Sequence, residues 1–294
     1  MFIYLLKYMD LSFVKNDLSK NGYCIVRNVL NNEEIKYCVE LFENWLKNIH
    51  KHDDYYDSFT ENGIYKYHQA GHSNHAWFVR THPNVQKVFK FLWDTDDLIV
   101  SFDGCCYIPK TCEKKTRHWT HTDQAPNSKG FKCIQSFISF TENQERTLVV
   151  YEGSHLLHEE YFKERKIESD VNWQIIDYKY TKLLENKKRV LHVKPGDLVL
   201  WDSRTFHQSQ YGEPNSELRM IQYVCFFPKN HIDNTIEEQE KRKRYLETRR
   251  TTTHWPAPIH VIKLQPMKSD VSINYNNIVK TDLSLFQKDI QKII

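Results

Sequence analysis

From Leu98 onward the chain is a succession of short apolar runs separated by turn residues, and this pattern limits the fold more than any other feature. Leu98–Phe102, Cys106–Ile108, Cys133–Phe140, Thr147–Tyr151, Val190–Val193, Leu198–Trp201 and Leu218–Phe227 are rich in β-branched and aromatic residues. Asp103-Gly104, Glu152-Gly153-Ser154 and Pro195-Gly196-Asp197 punctuate them with turn chemistry. Many strands joined by short turns predict a closed or double-layered β architecture, a jelly roll or small barrel. With 294 residues, 40% of them hydrophobic, the chain can bury one large core. The expected organisation is therefore one domain over residues 1–294. Its β core covers about 98–227, with helical support before it and an extension over 228–294.

The supporting elements are legible in outline. Gly22–Val26 reads as a strand, and Asn31 with Glu34 makes a capping box for a helix. Ile35, Cys38, Phe42, Trp45 and Ile49 recur at helical spacing, so that helix presents one apolar face. Pro83 opens a second helix whose buried stripe is Val85, Val88, Phe89 and Leu92. Both are expected to pack on one outer face of the β core. Residues 50–75 are polar, aromatic and rich in histidine, which reads as a surface or lid segment. Residues 155–189 interrupt the strands with a charged, partly helical insertion. Lys241-Arg242-Lys243-Arg244 lies among Glu237, Glu238, Glu240 and Glu247, so it reads as a solvated helix face rather than a phosphate contact.

Composition excludes several classes. A net charge of +3 is a mild excess, not the basic field of a dedicated nucleic-acid binder. The seven cysteines contain no C-x-x-C pair and read as reduced thiols. The apolar start is too short for a signal peptide, and no stretch reaches the ~20 apolar residues of a membrane helix. A cytoplasmic protein acting on a small-molecule partner, with no membrane association, is the default expectation. Oligomeric state is silent.

The chemistry concentrates at His118-Trp119-Thr120-His121-Thr122-Asp123-Gln124 and, far downstream, at Phe206-His207-Gln208-Ser209 and Arg219. Alternate side chains of a strand share a face, so His121 and Asp123 can point at one metal ion, and His207 and Ser209 likewise point together. A His-x-Asp pair alone is a weak signal. With a third ligand at His207, two histidines and one carboxylate form the facial set that suits non-haem ferrous iron and leaves open positions. Arg219, in the strand after His207, needs an anion if buried, and its planar fork suits a carboxylate. Gln135 falls on a neighbouring strand and is placed so that it can face the site. Trp119 and Trp201 read as core packing.

These residues resemble the phytanoyl-CoA dioxygenase family of ferrous, 2-oxoglutarate-dependent oxygenases, over about Gly22 to Phe227. The carriers are Gly22-Tyr23 with Asn28-Val29-Leu30, then His121-Thr122-Asp123-Gln124, then the turn ending in Gly153-Ser154-His155. The most specific block runs from Lys194-Pro195-Gly196-Asp197 to Phe206-His207-Gln208-Ser209, completed by Arg219. The resemblance implies a double-stranded β-helix with N-terminal helices on one side. It implies His121, Asp123 and His207 as Fe(II) ligands, Arg219 with Ser209 as contacts to the 2-oxoglutarate co-substrate, and O2 as the second co-substrate. Glu152 stands where the family often has proline, and Thr122 fills the middle of the ligand pair. A carboxylate at Asp123, rather than a small residue, implies hydroxylation or another oxidation rather than halogenation. Two other readings compete: a non-catalytic barrel with a binding or structural role, and a cupin-type metal enzyme without 2-oxoglutarate, which would not require Arg219. The segments expected to choose a substrate are 50–80, 124–131 and 155–189. The Thr253-His254-Trp255-Pro256 loop has no assignable role.

Overall fold

A computed structural model describes residues 9–50, 62–265 and 272–294. With strands numbered in chain order, the larger antiparallel sheet runs β1 (Tyr23–Val26), β10 (Leu198–Asp202), β6 (Ile134–Ser139), β12 (Arg219–Tyr223), β4 (Cys105–Ile108), β2 (Ile64–Tyr65). The smaller runs β8 (Gln174–Ile175), β5 (His121–Thr122), β11 (His207–Ser209), β7 (Leu148–Tyr151), β9 (Lys188–Val190). β3 (Leu98–Val100) pairs with β13 (Phe226–Pro228) apart from both.

The alternation of each strand explains the layering. Val199, Trp201, Phe137, Ile221 and Cys106 leave the large sheet on one side and meet Leu148, Val150, Leu191 and Val193 of the smaller sheet and its flanks. On the other side, Leu198, Leu200, Ile134, Ile138 and Met220 carry the helices. These are α1 (Val14–Asn21), α2 (Asn32–His50), α3 (Asn74–Thr81) and α4 (Pro83–Trp93), which bury Leu18, Phe42, Trp77 and Val85 there. The large sheet is thus apolar on both faces, a two-layer jelly roll backed by helices on one side, as expected. The two sheets keep open edges and do not close into a barrel.

Local signals behaved as their chemistry requires. Asn31 Oδ1 accepts from the Glu34 amide at 3.0 Å while Glu34 Oε2 accepts from the Asn31 amide at 2.8 Å, closing the capping box. Pro83 occupies the first turn of α4. All seven cysteines are free and buried. Among the described residues, no helix is long and apolar enough to cross a membrane.

Four details differ from the sequence expectations. Leu218–Phe227 is not one strand: it breaks at Val224-Cys225, where the chain leaves the large sheet to pair with β3. An apolar run that changes sheets keeps its composition, so nothing marks the break. The insertion 155–189 holds α5 (His158–Glu164) and α6 (Tyr178–Leu183), and it also donates β8, an edge strand paired with His121 and Thr122. The histidine-rich stretch is not a surface segment where it is described. His72 and His75 are fully buried, one against Phe102 and the other stacked on Phe42, while residues 51–61 lie outside the described set. Finally, the basic quartet lies on α7 (Ile236–Glu247) but is only partly a solvated face. Lys241 pairs with Glu237 and Glu238, whereas Arg242 is fully buried.

Candidate active site

The short β5 presents its residues alternately. Thr120 and Thr122 turn away, donating at 2.8 Å to Gln208 Oε1 and to the Ser203 carbonyl. Trp119, His121 and Asp123 turn into the space between the sheets, and the Trp119 ring stacks on His121 at 4.8 Å. Antiparallel pairing of β5 with β11 sets His207 directly opposite His121. The outcome is a tight trio: Asp123 Oδ2 lies 3.6 Å from His121 Nε2 and 3.3 Å from His207 Nε2. One ligand atom from each residue falls within 4.8 Å of the others, the one such metal-ligand cluster among the described residues.

Both imidazoles are held from behind. His121 Nδ1 donates to the Trp119 carbonyl at 2.9 Å and His207 Nδ1 to the Thr205 carbonyl at 2.8 Å. A carbonyl only accepts, so each Nδ1 carries a proton, which leaves Nε2, the nitrogen facing Asp123, as the one available to a metal. Burial, then the adjacent His121, pushes His207 below the ordinary imidazole range, which favours this neutral form. Burial works against the Asp123 charge, but the two facing imidazoles, His121 first, more than offset it and leave the carboxyl well below its usual range. Two imidazole nitrogens and one carboxylate are a donor set suited to ferrous iron.

A cavity of about 760 Å³ opens from this trio. At its buried end stand Arg219, Ser209, Trp201 and Leu148. Arg219 is 1% exposed; its guanidinium lies 5.6 Å from the centre of the Phe137 ring, and Nη1 and Nη2 find no hydrogen-bond partner among the described residues. A buried cation with free donors calls for an anion. These residues therefore fit a carboxylate-bearing co-substrate beside a metal. At the exposed end Trp173, half exposed, packs 5.7 Å from His121, and Asn172 and Ile262 form further walls. Gln124 faces away and fixes the following loop, its amide donating to the Ser128 and Gly130 carbonyls.

The sequence of residues 18–212 matches the family model described as phytanoyl-CoA dioxygenase. The chain belongs to the phytanoyl-CoA dioxygenase family. That makes it a non-haem oxygenase by kinship, and the histidine–aspartate–histidine trio fits an iron site. A relative from Aspergillus versicolor, "Ava biosynthesis cluster protein O", is 32% identical over 266 residues, covering 82% of this chain and 85% of that protein. Two solved structures share the fold at low identity. One is EctD from S. alaskensis with 2-oxoglutarate and 5-hydroxyectoine (TM-score 0.53, 14% identity, 74% of this chain and 76% of that one). The other is the epimerase SnoN with Fe3+, alpha ketoglutarate and nogalamycin RO (TM-score 0.52, 16% identity, 74% and 83%).

In this member of the phytanoyl-CoA dioxygenase family, every residue singled out from sequence lines one cavity: His121, Asp123, His207, Ser209, Arg219 and Gln135. Trp119 and Trp201 line it too; Trp201 also packs the core between the sheets as expected, whereas Trp119 belongs to the cavity wall, stacked on His121. What sequence reasoning left unplaced is His254. Its Nε2 lies 2.9 Å from Gln135 Nε2, and that same amide nitrogen donates to Asp123 Oδ2 at 2.9 Å. The signal was the unusual Thr253-His254-Trp255-Pro256 string, but no spacing rule connects it to β6.

Proposed function

We propose that this chain is an Fe(II)- and 2-oxoglutarate-dependent dioxygenase that hydroxylates a small organic substrate. The observation that carries this reading is the shared cavity. A two-histidine, one-carboxylate trio and a fully buried arginine, two of whose nitrogens have no partner among the described residues, line the same space. His121, Asp123 and His207 would hold the iron, and Arg219 with the Ser209 hydroxyl would hold the far carboxylate of 2-oxoglutarate. With these bound, iron, 2-oxoglutarate and O2 supply the oxidising chemistry, releasing succinate and CO2 as the substrate is hydroxylated.

The chain's own residues orient and shield. The Nδ1 hydrogen bonds to the Trp119 and Thr205 carbonyls aim both imidazoles before metal arrives, and the stacked Trp119 ring keeps His121 in place. Phe137, Leu148 and Trp201 keep water from the arginine end of the cavity. The 170–175 segment of the insertion walls the exposed end, where Trp173 would meet the substrate. Support for a small-molecule substrate comes from the fungal relative, whose name places it in a biosynthesis cluster. Support for the co-substrate comes from the 2-oxoglutarate and alpha ketoglutarate held by EctD and SnoN.

The test is an oxygen-free titration of metal-free protein with ferrous iron and 2-oxoglutarate. It follows the weak visible charge-transfer band of a chelated keto acid in wild type, His207→Ala and Arg219→Ala. The expected result is a band in wild type that is lost in both variants. Iron binding without any band would replace this reading with a metal enzyme that does not use 2-oxoglutarate.

A further inference from the structure

The family match ends at residue 212, yet a segment well beyond it reaches the metal trio. We propose that His254 is a positioning residue of the iron site, holding the Gln135 carboxamide so that its nitrogen donates to the ligand oxygen of Asp123. This rests on the iron reading above.

The geometry is specific to one oxygen. Asp123 Oδ2 is the atom nearest both imidazole Nε2 atoms, and it is also the atom that accepts from Gln135 Nε2 at 2.9 Å. An amide nitrogen has two hydrogens and no acceptor capacity. One hydrogen serves Asp123, so the other meets His254 Nε2, which must be the accepting nitrogen of its ring. Burial, as the leading cause, keeps His254 neutral near pH 7 by pushing it down to about 4, consistent with that role. Gln135 is 3% exposed and sits on β6, opposite Trp201 of β10. Without His254, its second hydrogen would be buried unmatched, and the carboxamide would lose the partner that fixes its orientation.

The segment is built to deliver the ring. The Thr252 amide donates to the Phe102 carbonyl, and the Phe102 amide donates to Thr252 Oγ1, both at 2.9 Å. The Thr253 amide reaches the His260 carbonyl at 2.8 Å. From α7, buried Arg242 donates to the Pro256 carbonyl at 2.5 Å, and Glu238 Oε2 accepts from the Ile259 amide at 2.6 Å. A strap pinned at both ends presents His254 rigidly, so the Asp123–Gln135–His254 chain holds the plane of the carboxylate. Loss of such an outer partner typically weakens metal binding by about 10–100-fold.

The experiment measures Fe(II) affinity of metal-free, full-length protein by anaerobic calorimetry, with thermal unfolding as the fold control. His254→Leu is expected to bind Fe(II) at least ~10-fold more weakly than wild type. His254→Gln, whose Oε1 can stand near the Nε2 position and accept from Gln135, is expected to restore most of the affinity. Gln135→Leu alone should match the His254→Leu loss, and the double variant should be no worse than either single one, because both act through one chain of bonds. Should His254→Leu fail to fold, His254→Asn, whose shorter amide falls short of Gln135, carries the same expectation. Wild-type affinity in His254→Leu or His254→Asn overturns the proposal. So does a double variant whose losses add, since His254 would then act on the iron site independently of Gln135. Absence of Fe(II) binding in wild type would instead overturn the iron reading itself.

Discussion

His121 and His207, 86 positions apart in sequence (207 − 121), stand directly opposite each other across an antiparallel strand pair, with ring centres 4.3 Å apart. Each ring donates Nδ1–H to the carbonyl two residues before it. Backbone carbonyls therefore preset both rings, with the Trp119 ring stacked on His121 as a further support. Replacing His121 by alanine is expected to keep the fold and cost more than ~100-fold in Fe(II) affinity, beyond the range for outer partners. Anaerobic calorimetry checks it, and wild-type affinity in the variant would remove His121 from the ligand set.

Arg219 should trade stability for binding. Its terminal nitrogens are buried without partners among the described residues, so the guanidinium is expected to weaken the co-substrate-free protein. Arg219→Met, similar in volume and uncharged, is expected to raise the melting temperature of the metal-free protein, at roughly 2–4 °C per kcal/mol gained. It should also abolish 2-oxoglutarate binding. A lower melting temperature in Arg219→Met would mean that the cation is already compensated.

Acid should destabilise the protein through its buried histidines. Burial, then Arg80, drives His72 and His75 well below the ordinary imidazole range, so both stay neutral when folded. The unfolded chain protonates them below about pH 6.5. The unfolded state thus binds more protons as pH falls, and each residue costs up to ~1.4 kcal/mol per pH unit between about 6.5 and its depressed folded value. His82, His155 and His158, also depressed chiefly by burial, act in the same direction. Asp103, pushed up to about 7 by burial, takes up a proton on folding and offsets one of them. Urea unfolding of metal-free protein at pH 7, 6 and 5 should show a net fall in stability. His75→Phe, which keeps an aromatic ring against Phe42, should flatten the slope by about one proton. An unchanged slope would exclude His75 as a contributor.

Gly22 couples the first helix to the metal trio. It closes α1 at φ 82°, and an added Cβ would lie 2.5 Å from His155 Nδ1 and 2.7 Å from Thr205 Oγ1. Thr205 supplies the carbonyl that holds His207. Gly22→Ala is expected to lose roughly 1–3 kcal/mol of stability and to weaken Fe(II) binding, read by urea unfolding and calorimetry. Unaltered unfolding would show that the neighbouring side chains yield without cost.

Features governed by local chemistry were legible in the sequence. The capping box at Asn31, the Pro83 helix start, the strand alternation around Phe137 and Trp201, and the shared face of His121 and Asp123 each depend on neighbours a few residues away. Propensity and period suffice for these. The linkage of that pair to His207, Ser209 and Arg219 was legible only through the family resemblance, because no local period connects strands so far apart in sequence.

By itself, then, the sequence determined which residues are candidates for the chemistry and which faces of each strand and helix are apolar, since those follow from side-chain type and backbone period. Tertiary structure alone decided the β5–β11 register that sets two histidines face to face, and the break at Val224-Cys225. It also decided the burial of His72, His75 and Arg242, and the meeting of His254 with Gln135. Each of these is a contact between segments distant in sequence. Its existence depends on how whole sheets and helices pack, and no local pattern of residues encodes that geometry.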